Sequence, residues 1–213
     1  MALTNFHSHY EDGVRWRLTP NGVDIEDSGV ERTAGAPATV RRIWEEYHEA
    51  INKTARRYEV PCALIIATIA TESGGKADAV RLEPGYVSDE QTPHKVSPGL
   101  MQTLISTARD ALQMSLDRDW LLRAANSIEA GTAYIASQSG NTNLDPPLVA
   151  AAYNAGKLAH QTGAQNRWKL RQYPIGTGKH CDRFGRFFND AVFMLKQHSV
   201  KPQVDLERLL KES

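Results

Sequence analysis

Glu72 closes an almost unbroken apolar run, Ala63-Leu-Ile-Ile-Ala-Thr-Ile-Ala-Thr71, and the chain then breaks at Ser73-Gly74-Gly75. Pro61 suits the first turn of a helix and the glycine pair suits its end, so the run predicts a buried helix with Glu72 in its last turn. Desolvation by apolar neighbours disfavours the carboxylate, and so does the negative end of the helix dipole. A carboxyl with a raised pKa in that position is suited to general acid work near neutral pH. For a lone glutamate at a helix end, turning to solvent is the commoner outcome, so the remaining motifs must decide.

Other chemistry-bearing residues point less far. Gly176-Thr-Gly-Lys179 lacks the spacing of a phosphate loop, with His180 where Ser or Thr is required. Glu45-x-x-His48 has di-iron ligand spacing, but no second copy exists and both residues fall on the polar side of an amphipathic pattern. His7 and His9 read as a mobile terminus rather than a metal site. Cys62 and Cys181 allow at most one disulfide, and spacing does not say whether they meet. No metal and no cofactor is implied.

The elements that must position Glu72 are mostly helical. Val40, Ile43, Trp44, Tyr47, Ile51, Ala55 and Tyr58 recur at the helical period and predict a helix over about 39–58. Further helices are predicted over about 103–116, over 127–137 with Asn126 as N-cap and Glu129 in capping-box spacing, and from Asp145-Pro146-Pro147 to a stop at Gly156. An aromatic helix carrying Phe184, Phe187, Phe188, Val192 and Leu195 follows the Gly/Pro-rich stretch Tyr173–Gly178. Residues 13–26 alternate as a hairpin around Thr19-Pro-Asn-Gly22, and residues 74–98 read as loop or short strands. The expected class is α+β, mainly α, with a small β element beside the cleft. Residues 1–38 would form an N-terminal hairpin and linker, and residues 39–213 the catalytic domain.

Bulk properties are those of an ordinary globular chain of 213 residues, 41% hydrophobic and 23% charged, with a formal net charge of zero. Global charge gives no reason to expect nucleic acid as a partner. Locally, Lys157, Arg167, Lys169, Arg171, Lys179, Arg183 and Arg186 face one acid, Asp182, between residues 157 and 189. That segment could meet an anionic surface, or be a solvated face with local ion pairs. A monomer is expected.

Three strings in order, Glu72-Ser73-Gly74-Gly75, Gly99-Leu100-Met101-Gln102 and Ala152-Tyr153-Asn154-Ala155-Gly156, with Ser127–Tyr134 between the last two, resemble the soluble lytic transglycosylases. With goose-type lysozymes these form a lysozyme-like superfamily, and the resemblance spans residues 58–160. It implies a lysozyme-like fold and cleavage of peptidoglycan glycan strands at the β-1,4 bond between N-acetylmuramic acid and N-acetylglucosamine. It also implies Glu72 as acid/base, with Ser73, Met101, Gln102, Tyr153 and Asn154 as cleft residues and Tyr153 hydrogen-bonded to the catalytic carboxyl. A hydrolytic route would need a second carboxylate. Leu104 stands where goose-type enzymes carry an aspartate, a departure from that pattern; of the acids Asp78, Glu83, Asp89 and Glu90 between Glu72 and Gly99, Glu83, beside Arg81, is the one to test. The resemblance and the absence of a signal-like start together suggest a phage endolysin, made in the cytoplasm and acting on the wall after release. A wall-binding or virion structural protein of the same fold is the non-enzymatic alternative.

Overall fold

The computed structural model describes residues 2–34 and 37–212. Its architecture is set by α2 (Cys62–Glu72), whose residues Cys62 to Thr71 are all buried. A helix that is apolar on every side needs partners on every side. Those partners are α1 (Ala38–Tyr58) and α8 (Lys179–Gln197), with α5 (Ala124–Ser137) lying against α1 and α2. Both α1 and α8 are strongly amphipathic and turn an apolar stripe inward: Val40, Ile43, Trp44, Ile51 and Ala55 from α1, Phe184, Phe188, Ala191 and Leu195 from α8. α7 (Pro146–Ala155) packs on α8 and ends at Gly156, which takes the left-handed conformation that glycine tolerates.

The strands form two separate two-stranded sheets. β1 (Trp16–Thr19) and β2 (Gly22–Ile25) pair antiparallel, with Trp16 opposite Ile25. This hairpin is built into the main core through Trp16, Leu18, Val23 and Ile25. Asn189 of α8 clamps it by accepting from the Val23 amide at 2.7 Å and donating to the Val23 carbonyl at 3.1 Å. β3 (Val80–Leu82) and β4 (Val96–Pro98) also pair antiparallel and form a flap over a second, smaller apolar cluster that includes Val96, Ile105, Leu121 and Ala130.

Several boundaries differ from expectation. The helix predicted over 103–116 is shorter, α3 (Ile105–Leu112), because Gln113 turns left-handed, and a separate short helix that was not predicted, α4 (Arg118–Leu121), starts beyond it where Asp117 accepts from the Trp120 amide. α5 begins at Ala124, ahead of the expected Asn126 cap; Asn126 instead donates to the Trp120 carbonyl, and Glu129 pairs with Arg57. Two short helices, α6 (Ser139–Thr142) and α9 (Leu206–Glu212), complete the chain. Cys62 and Cys181 are both buried free thiols. Among the described residues, two of the seven basic residues of the 157–189 segment are ion-paired: Arg167 with Glu31 and Asp182, and Arg186 with Glu31. Burial would raise the Glu31 carboxyl, but Arg167, Ser28 and Arg186 together hold it down at about 2.

His7 is the other correction, since it is fixed in place rather than mobile. Its backbone exchanges hydrogen bonds with Trp16, and its Nε2 lies 2.8 Å from Asp145 Oδ2, a carboxylate only 1% exposed that also accepts from Trp16 Nε1. Nδ1 faces the Asn5 carbonyl at 2.8 Å. With an acceptor at each nitrogen, the ring satisfies both as an imidazolium. Burial alone would lower its pKa, but the bonds to Asp145 and Asn5 raise it above 6.5 on balance. A raised folded-state pKa gives stability that is complete below 6.5 and lost as pH rises through the folded value. His7→Phe is therefore expected to lose about 1–3 kcal/mol in urea unfolding at about pH 6, with the deficit shrinking at about pH 8.5. A pH-independent deficit would contradict the charged pairing.

Candidate active site

Glu72 opens into a cleft of about 420 Å³ bounded by the β3–β4 flap on one side and the end of α7 with Tyr173 on the other. Its side chain is 17% exposed. Desolvation by the α2 environment lifts the carboxyl from 4.5 to about 7, against the opposing pull of Arg183 and then Arg81. The break after Glu72 is held from α1, where Arg42 donates to the Gly74 carbonyl at 2.5 Å. Gly75 has a φ of +84°, and a Cβ there would press on Ile43 and the Arg42 guanidinium.

The two residues after the helix and the next motif are one unit. Ser73 Oγ donates to the Leu100 carbonyl at 2.6 Å and accepts from the Gly75 amide at 3.1 Å. It therefore ties the loop 99–102 to the end of α2 and does not line the cleft. Met101 is likewise removed from the cleft: it is fully buried, its amide is held by Ser127 Oγ, and its side chain lies where a Cβ on Gly131 would stand. Gln102 does reach the cleft, in a left-handed conformation at φ +49°. Its amide donates to the Gly99 carbonyl at 2.8 Å and the Ala79 carbonyl at 3.0 Å, which fastens the flap to the loop.

Tyr153 and Asn154 line the cleft from the end of α7. The Tyr153 hydroxyl donates to the Met101 carbonyl at 2.9 Å and accepts from Thr103 Oγ1 at 2.8 Å, so among the described hydrogen bonds it has none to Glu72. Asn154 Oδ1 accepts from the Tyr173 amide at 2.5 Å and so anchors the opposite wall. Glu83 shares the cleft with Glu72, but its carboxylate is engaged by Arg81 Nε at 2.9 Å and is 37% exposed.

Three contributors were not singled out from sequence. Thr103 is buried and completes the Tyr153 bond, and Tyr134 lines the cleft with its ring 5.2 Å from that of Tyr153. His180 places Nε2 3.6 Å from Glu72 Oε1 with its side chain 4% exposed. Its signal was in the pattern, because residue 180 precedes Phe184 and Phe188 by four and eight on the buried stripe of α8.

Two comparisons with known proteins bear on the family and on the fold. The sequence model described as the transglycosylase SLT domain matches residues 49–174. An X-ray structure of an inactive mutant of the lytic transglycosylase Slt from Pseudomonas aeruginosa superposes with a TM-score of 0.52 at 20% identity, covering 76% of this chain. The matched part is 26% of that protein, so this chain corresponds to about a quarter of its length. No curated protein sequence matches the chain.

The burial of Glu72 has a measurable consequence. A carboxyl bound more tightly to its proton in the folded state gives stability below 4.5 that is lost as pH rises through about 7. Glu72→Gln, which cannot ionise, is expected to be more stable than the native protein at about pH 8 by on the order of 2–3 kcal/mol, and by a fraction of that at about pH 5. Equal stability at both values in urea unfolding would show that Glu72 is not desolvated.

Proposed function

The chain belongs to the transglycosylase SLT domain family, and from that premise we propose that it cleaves peptidoglycan glycan strands at the β-1,4 bond between N-acetylmuramic acid and N-acetylglucosamine by lytic transglycosylation. The observation that carries this reading is a single desolvated carboxyl, Glu72, opening into the cleft with a pKa of about 7. A group poised there is protonated often enough to give a proton and ionised often enough to take one.

In the first half of the reaction, protonated Glu72 gives its proton to the departing glycosidic oxygen while the acetamido group of the substrate supports the anomeric carbon. In the second half, ionised Glu72 removes the proton of the muramic C6 hydroxyl. The freed oxygen attacks the anomeric carbon, and the product ends in a 1,6-anhydro ring. The proton returns to Glu72, so no water is consumed. Tyr153, held by Met101 and Thr103, fixes one wall of the cleft near the carboxyl, and Gln102 fixes the flap opposite.

Hydrolysis through Glu83 is the competing route, since that carboxylate lines the same cleft. Its ion pair with Arg81 favours a role in holding the flap or meeting substrate over one in activating water. Bacterial lysis is the biological setting proposed for this activity.

Clearing of purified wall suspensions is the test. Glu72→Gln is expected to reduce clearing by at least about 10²-fold with the fold intact by circular dichroism; unchanged clearing would remove Glu72 from the chemistry, and absence of clearing by the native protein would favour a binding role. Glu83→Gln is expected to keep activity within about tenfold, and to leave anhydro-ended muropeptides as the products by mass spectrometry. Reducing ends, together with loss of activity in Glu83→Gln, would establish the hydrolytic route.

A further inference from the structure

His180 lies in the first turn of α8, and its Nε2 has no hydrogen-bond partner among the described residues. A buried polar atom without a partner costs about 1–3 kcal/mol. This one faces Glu72 Oε1 at 3.6 Å from a side chain that is 4% exposed. We propose that His180 is a positioning residue whose neutral Nε2–H points at Glu72 Oε1 and so confines the exchangeable proton to the other oxygen, Oε2. The proposal rests on Glu72 being the acid/base.

The chemistry of the two facing atoms selects the tautomer. An ionised carboxylate only accepts, so the nitrogen facing it must carry hydrogen. With Nε2–H against Oε1, protonation at Oε1 would set two hydrogens against each other, and the proton goes to Oε2. His180 keeps its own proton throughout: the Oε2–H bond breaks when the glycosidic oxygen is protonated and is remade when the C6 hydroxyl gives up its hydrogen. At 3.6 Å the contact is longer than a normal hydrogen bond, but an N–H dipole aimed at the carboxylate across that distance still favours its charged form.

The surroundings keep this device neutral. Burial, and then the positive charge of Arg183, push His180 down to about 4, so the ring is uncharged across the range in which Glu72 titrates. An imidazolium would hold Glu72 ionised, whereas a neutral donor favours the carboxylate only modestly and leaves both states within reach. The charged groups around the pair are Arg183 from α8 and Arg81 from β3, both of which lower Glu72. From α7 and α5, Tyr153 and Tyr134 are phenols that burial keeps protonated. Arg42 from α1 is engaged with the carbonyls of Gly74 and Gly75 just beyond.

The test needs no turnover. Nitrogen NMR of the native protein is expected to show His180 as the neutral Nε2–H tautomer from about pH 5 to about pH 8, and carbon NMR to follow the Glu72 carboxyl in parallel. In His180→Phe the Glu72 midpoint should rise by about one pH unit, because a donor to the charged form is gone; in His180→Gln, which restores an N–H, it should return toward the native value. A bare Nε2 with hydrogen on Nδ1, an unmoved or lowered midpoint in His180→Phe, or identical behaviour of Phe and Gln variants would each overturn the proposal. The tautomer is read on the native protein, so it decides even where a variant fails to fold. A native tautomer and midpoints as expected, with wall clearing unaffected by Glu72→Gln, would instead locate the failure in the acid/base reading.

Discussion

Desolvation of one carboxyl at the end of α2 is the constraint on which the site depends. Ten buried residues precede Glu72, so the helix cannot move without exposing the middle of the core. That fixes the carboxyl at the boundary between core and cleft, 17% exposed, where the charged form is disfavoured. The surrounding cations limit the shift: Arg183 and Arg81 each pull Glu72 back toward ionisation. Without them a carboxyl so buried would hold its proton more firmly still.

The cleft around it is made of backbone pinned by side chains. Ser73 ties the Leu100 carbonyl to the helix end, Gln102 ties the flap to the same loop, and Asn154 ties Tyr173 to the far wall. Gly99 and Gln102 both take left-handed backbone here, and a Cβ on Gly99 would stand 2.2 Å from the Leu121 carbonyl oxygen. The motif residues thus divide into those that line the cleft, Glu72, Gln102, Tyr153 and Asn154, and those that only hold its loops in place, Ser73 and Met101. Farther out, the His7–Asp145–Trp16 network locks the N-terminal hairpin to the start of α7, the helix whose other end carries Tyr153.

Glu72 and its helix were legible in the sequence because both signals are local: an apolar run, a proline before it and glycines after it. The helical periods of α1 and α8 were legible for the same reason. What could not be read was the pairing of side chains across long separations. Ser73 and Met101 lie in the right strings yet face the interior, since only the fold reveals that Ser73 meets Leu100 and Met101 meets Gly131. Tyr153 was expected on the Glu72 carboxyl, but Thr103 and the Met101 carbonyl hold its hydroxyl. His180 is 108 positions from Glu72 in sequence, and its meaning came only from α8 packing on α2. The pairing of Arg167 and Arg186 was hidden because their shared acid, Glu31, belongs to the linker after the hairpin.

The central claim is that one carboxyl carries both proton transfers and that the bond-forming oxygen comes from the substrate itself. Digestion of purified wall in water enriched in heavy oxygen tests that claim most directly. Lytic transglycosylation by Glu72 would release muropeptides that carry no label and are lighter by one water than hydrolysis products. Heavy oxygen at the new muramic end would contradict it, because water, not the C6 hydroxyl, would then have attacked the anomeric carbon.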